Sequence, residues 1–146
     1  MAAFKPKVKV DLELLNEEDI KIRFSSRSID ELIITKTGIP KEERGGEARE
    51  LLAASLAECA CSTLLYLLKW ARIDLKDLHA TAEVTTKEDK DGRLCVDSIN
   101  LKIRIDTPKN EETTKRLERV KTLFSKGCLI SQSLEKGIGT AWSIEA

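Results

Sequence analysis

The chain has 146 residues, 41% of them apolar and 4% aromatic, with Lys+Arg and Asp+Glu equal at 25 each. That length predicts one domain over residues 1–146 with room for a core. Zero net charge excludes a bulk field that would draw nucleic acid or an anionic membrane. Four cysteines at irregular spacing exclude the disulfide framework of a small secreted protein.

Residues 1–7 (Met-Ala-Ala-Phe-Lys-Pro-Lys) lack the apolar core of a secretory signal. The expectation is a cytoplasmic protein, whose thiols stay reduced unless they are redox-active. Residues 8–14 (Val-Lys-Val-Asp-Leu-Glu-Leu) alternate and predict a strand, as do residues 20–24 (Ile-Lys-Ile-Arg-Phe), with a turn over 16–19 between them. Residues 31–35 predict a third, short strand. Gly38, Pro40, Gly45 and Gly46 among charges mark 37–46 as a loop.

A long apolar helix is predicted over about 48–72. Glu50, Glu58 and Lys69 interrupt it, so no membrane span is expected there. Residues 79–88 and 93–106 predict two strands joined at Asp89-Lys90-Asp91-Gly92, the clearest hairpin signal in the chain. The alternation of the second strand slips between Val96 and Ile99. Leu117, Val120, Leu123 and Phe124 recur at helical spacing within 111–126. A short helix over 129–136 ends at Gly137 and Gly139, and residues 140–145 read as a last strand. The order βββ-α-ββ-αα-β predicts an α+β fold, antiparallel hairpins with helices grouped against them.

Two cysteines carry the chemical interest. At about 100° per residue, Ser55, Glu58, Ser62, Tyr66 and Lys69 form one polar stripe of the long helix. Cys59 lies at the edge of that stripe, and Cys61 among apolar neighbours. Free cysteine is among the most buried residue types, so packing accounts for both as readily as reactivity does. Tyr66 likewise fits a core as well as a site. Cys61 and Cys59 point to different sides of the helix, and His79 is the lone histidine, so no metal site and no cofactor are expected.

Cys128 follows Gly127 and opens the short helix, where backbone N–H groups favour a thiolate. A small apolar residue at a helix junction is the plain alternative. Cys95 has no recognisable partner. A reactive thiolate at Cys59, deep inside its helix, needs a cation. Arg49 and Glu50 open the same helix too far along it to touch Cys59. Arg23 and Arg27, on and after the second strand, are the freer candidates. An arginine held by a glutamate against a cysteine lowers the thiol pKa and orients a hydroxyl-bearing substrate.

The stretch Gly45-Gly46-Glu47-Ala48-Arg49-Glu50-Leu51-Leu52-Ala53-Ala54 through Cys59, joined to Cys128-Leu129-Ile130-Ser131-Gln132-Ser133-Leu134, resembles the OsmC/Ohr family. These are the osmotically inducible protein C and organic hydroperoxide resistance proteins, and the likeness is nearest to the broader OsmC-like subgroup. The element order agrees, so the resemblance covers nearly the whole chain. It implies a peroxidatic Cys59, a resolving Cys128 and a helix-start Glu50. It also implies an OsmC-like fold, a long central helix on antiparallel sheet, in an intertwined homodimer with two interface sites. The implied reaction reduces organic hydroperoxides, or hydrogen peroxide, through a sulfenic acid and a disulfide. A dithiol or thioredoxin-like donor would restore the thiols. Ala48 stands where the family often has Pro, Leu129 replaces the Pro after the second cysteine, and Arg49 holds the position ten residues before Cys59. No early motif singles out the activating arginine.

Three functions compete. A thiol peroxidase is the leading expectation. A non-catalytic OsmC-like dimer that binds an apolar ligand or partner uses the same fold, which therefore does not decide. A thiol-based redox sensor would form the same disulfide but turn over slowly. The long helix is apolar around most of its circumference, which predicts a homodimer with the long helices at its centre.

Overall fold

Alternating apolar residues make β1 (Val10–Leu14) and β2 (Ile20–Phe24) an antiparallel pair in which Val10 opposes Phe24 and Leu14 opposes Ile20. β3 (Leu32–Ile34) adds to the other edge of β2, with Ile20 opposite Ile34. In this computed structural model, residues 5–146 are described. Residues 1–4, which open the segment read above as lacking a secretory signal, lie outside them. The described residues fall into two compact units, one ending at Glu47 and one over Ala48–Ala146.

In the first unit the turn between β1 and β2 is built by Asp19. Its carboxylate accepts from the Asn16 amide at 2.8 Å and from the backbone N–H of Lys36 at 2.7 Å and Thr37 at 2.9 Å. The Asn16 hydrogen bond first, then those backbone donors, hold this carboxyl well below the usual carboxylate range. One side chain thus ties the start of β2 to the chain leaving β3.

The second unit is organised by α1 (Glu47–Trp70), which follows a single 3₁₀ turn at Lys41–Glu43. Ala53, Leu56, Ala60, Leu64 and Leu68 recur at three- and four-residue spacing and form its buried stripe. Length and hydropathy alone would let Lys41–Trp70 cross a membrane. Its stripe is instead packed on the chain's own strands and helices. Arg72, at φ +56°, ends the helix. Its N–H bonds back to the Lys69 carbonyl, and the Ile73 N–H reaches the Leu68 carbonyl. That six-to-one and five-to-two pair is a Schellman motif, here formed by arginine rather than glycine. It turns Ile73 back onto Leu64 and Leu68.

β4 (Asp77–Glu88) and β5 (Leu94–Asp106) form a long antiparallel hairpin. Its turn closes as the residues demand. The Asp89 carboxylate accepts from the N–H of Asp91 and Arg93, and Gly92 takes φ +76°. The slip in alternation marks a bulge. Ser98 opposes Thr85, but Val96 opposes Thr86, so Asp97 is the extra residue. α2 (Glu111–Phe124) starts at Asn110, whose side chain accepts from the Thr113 N–H at 2.8 Å. α3 (Leu129–Lys136) follows at once and ends at Gly137. Leu64, Leu68, Ile73 and Val120 form one core cluster, and Leu56, Ala60 and Cys128 a second.

The expected last strand over 140–145 is not formed. Residues 137–146 run without regular structure, and Trp142 and Ile144 are exposed. The alternation is present, but a strand exists only on a ladder, and no strand among the described residues pairs with the segment. The observed order is therefore βββ-α-ββ-αα, in a three-stranded and a two-stranded antiparallel sheet.

Candidate functional site

Cys128 is the N-cap of α3. Its extended backbone, φ −102° and ψ 173°, turns the side chain back over the first helical turn. There Sγ accepts from the Ser131 N–H at 3.4 Å, while the Cys128 N–H donates to Ser131 Oγ at 2.8 Å. The two bonds form a capping box with a cysteine in the place usually taken by serine or threonine. Cys128 is 6% exposed. Burial pushes its thiol up. Ser131, through its hydroxyl and its N–H, with Cys59 and Ile130 adding to it, outweighs that and leaves the thiol net below its ordinary value.

Cys59 is half-buried on α1 and packs on the cluster that holds Cys128. The two thiols lie near enough to shift each other, Cys128 raising Cys59 and Cys59 lowering Cys128. The chain therefore brings together two thiols that lie 69 residues apart in sequence, one deep in α1 and one at the start of α3. Burial pushes the Cys59 thiol up. The Ile130 N–H offsets part of this, and Cys128 and Glu58 add to the rise.

The other expected site residues do not join this pair within their own units. Glu50 lies exposed in the first turn of α1. Nine residues separate it from Cys59, a rise of about 14 Å and a rotation of about 180°. Arg23 belongs to the first unit, where its guanidinium is held by Glu13 at 2.8 Å and Glu31 at 3.4 Å. Arg27 sits in the exposed turn after β2 and has no ion-pair partner among the described residues. Cys61 is half-buried on α1, and Cys95 is half-buried on β5 opposite Lys87. Among the described residues no three His, Cys, Asp or Glu side chains converge as metal ligands.

Beside Cys128 lies an open cleft of about 640 Å³. Leu52, Leu56 and Ala60 of α1 wall one side, Ile99, Leu101 and Ile103 of β5 another, and Phe124 and Leu134 complete it, with Asp97 and Glu135 as charged members of the lining. Sequence reasoning did not identify this cleft, because its wall is assembled from four separate elements. It also quoted Ser131 without assigning it a role. The available signal was a hydroxyl residue three positions after the N-cap, where a capping box places its return bond.

A family model described as OsmC-like protein matches residues 41–143. Among solved structures, an OsmC-like protein from Mycoplasma pneumoniae is 18% identical and superposes with a TM-score of 0.68, covering 90% of this chain and 89% of its own. An OsmC-like protein of unknown function from Vibrio cholerae is 15% identical, with TM-score 0.69, covering 90% and 95%. The organic hydroperoxide resistance protein of Bacillus subtilis is 16% identical, with TM-score 0.53, covering 87% and 89%. At these identities the likeness shows the fold. A search of curated proteins finds no match.

Proposed function

Because this chain belongs to the OsmC-like protein family, we propose that it is a thiol-dependent peroxidase acting on organic hydroperoxides through Cys59 and Cys128. The observation that carries the reading is the packing of Cys59 on the buried cluster that holds Cys128. Some relatives of this fold are hydroperoxide resistance proteins. The apolar cleft beside Cys128 suits the alkyl part of such a substrate.

In the first step the Cys59 sulfur attacks the terminal peroxide oxygen. The O–O bond breaks, the alkoxide takes up the thiol's proton and leaves as an alcohol, and Cys59 becomes a sulfenic acid. In the second step the Cys128 thiolate attacks the Cys59 sulfur. An S–S bond forms, and the hydroxyl leaves as water with the proton Cys128 gave up. An external dithiol, small or thioredoxin-like, then reduces the disulfide by exchange. The lowered Cys128 thiol is suited to the second step, since the attacking group must be ionised when the sulfenic acid appears. The first step needs a cation at Cys59, whose own surroundings favour the protonated form. Arg27 is the freer candidate and Arg23 the other, with Glu50 as the carboxylate that would orient it. In this reading they reach Cys59 in the homodimer.

Apolar rows left uncovered on one chain support that dimer. Leu65, Tyr66 and Trp70 on α1, Val10, Leu12 and Leu14 on β1, and Trp142 and Ile144 near the C-terminus are all exposed. Light scattering at micromolar concentration is expected to give twice the chain mass, and a stable monomer contradicts the shared site.

The direct test is a coupled assay. The wild-type protein should consume cumene hydroperoxide with dithiothreitol as reductant. One equivalent of peroxide without reductant should leave a Cys59–Cys128 disulfide on peptide mapping. No consumption and no disulfide would sink the reading. It would favour the second one, supported by the same cleft, in which the protein binds an apolar ligand without turnover.

A further inference from the structure

We infer that Ser131 is a positioning residue that holds the sulfur of Cys128 at the start of α3 and stabilises its thiolate. This rests on the two-cysteine reading and adds the residue that readies the second sulfur for its attack. Three features of the fold point to it.

The first is the number of bonds that one short side chain makes around one cysteine. Ser131 Oγ accepts from the Cys128 N–H at 2.8 Å and donates to the Cys128 carbonyl at 3.1 Å, while the Ser131 N–H reaches Cys128 Sγ at 3.4 Å. The backbone and the sulfur of Cys128 are thus both held by Ser131. The hydroxyl is a rotor. With Cys128 protonated its hydrogen satisfies the carbonyl. Once Cys128 ionises, it can turn to the sulfur, where a charge-assisted bond is the stronger one.

The second is Gly127. It takes φ +85°, and a Cβ there would lie 2.8 Å from Ser131 Oγ and 3.3 Å from Gln132 Cγ. The backbone approaches so closely that only glycine leaves the hydroxyl its place. Gly137, at nearly the same φ, has nothing within 4 Å of such a Cβ. The crowding is thus specific to the serine's position.

The third is the asymmetry of the pair. Both cysteines are desolvated, yet their thiols move in opposite directions. Ser131 acts on Cys128 through its hydroxyl and its N–H.

The test follows the Cβ carbon of Cys128 by ¹³C NMR across pH in the reduced protein. For Ser131→Ala the titration midpoint is expected to rise by about one pH unit or more, the scale of one charge-assisted hydrogen bond. Disulfide closure after one equivalent of hydroperoxide at neutral pH should slow by up to about tenfold, in step with the lost thiolate. Ser131→Thr, which keeps the hydroxyl, should return the midpoint toward wild type. A purely structural role would leave the midpoint unmoved, and a thermal melt separates unfolding from loss of the bond. An unchanged midpoint in a folded Ser131→Ala protein, or a raised one that Ser131→Thr does not restore, overturns the inference. The titration needs no turnover. Failure of the peroxidase reading would show as absent peroxide consumption with the Cys128 midpoint still low.

Discussion

Replacing Cys59 by Ser is expected to lower hydroperoxide turnover by roughly a thousandfold or more, the scale seen when a covalent nucleophile is removed. A serine hydroxyl at that position has no comparable nucleophilicity. Cys128→Ser is expected to behave differently. It should consume one equivalent of peroxide and stop, with a dimedone-type probe trapping sulfenic acid on Cys59. The two variants separate the roles because only the first removes the O–O cleavage step. Local electrostatics of the reduced chain run the other way, since Cys128 is the lowered thiol and Cys59 the raised one. The assignment therefore depends on a cation reaching Cys59. If Cys59→Ser turns over at the wild-type rate and the label falls on Cys128, attack belongs to Cys128. The proposed roles are then reversed.

Leu68→Ala should cost about 3 kcal/mol of stability, within the range for truncating a fully buried leucine. Leu68 is 1% exposed and sits where α1, its C-terminal cap and α2 meet, against Leu64, Ile73 and the fully buried Val120. With a urea slope of roughly 2 kcal/mol per molar, the midpoint should fall by about 1.5 M with the slope unchanged. Ser62→Ala, exposed on the opposite face of the same helix, should stay within about 0.5 kcal/mol. A Leu68→Ala midpoint as close to wild type as that of Ser62→Ala would mean the α1 stripe is not the core that holds the second unit together.

The parts of this fold that were legible in the sequence are the ones whose bonds close within a few residues. The β4–β5 turn is one. Asp89 and Gly92 satisfy and permit it without help from the rest of the chain. α3 begins and ends where Cys128 and Gly137 put it, and β2 matches its alternating run. The bulge at Asp97 shows as a slip in that alternation because each side chain's face is set by a period of two. The polar stripe of α1 also reads off the wheel, since Ser55, Glu58, Ser62, Tyr66 and Lys69 are all exposed.

Only the tertiary structure decided what these elements do to one another. The wheel placed Cys59 on a polar edge but could not show that Cys128 would meet it, because a contact across 69 residues depends on how α1 and α3 pack. The opposite shifts of the two thiols followed from the same packing, burial raising Cys59 and Ser131 lowering Cys128 against its own burial. Glu50 shared a motif with Cys59 but not a face, since nine residues are two and a half helical turns. Arg23, free on paper, is held by two carboxylates, Glu13 of β1, diagonal to it in the ladder, and Glu31 just before β3. The segment 140–145 carries the alternation of a strand yet forms none. A sequence can supply a strand's faces, but its hydrogen bonds come from a neighbour.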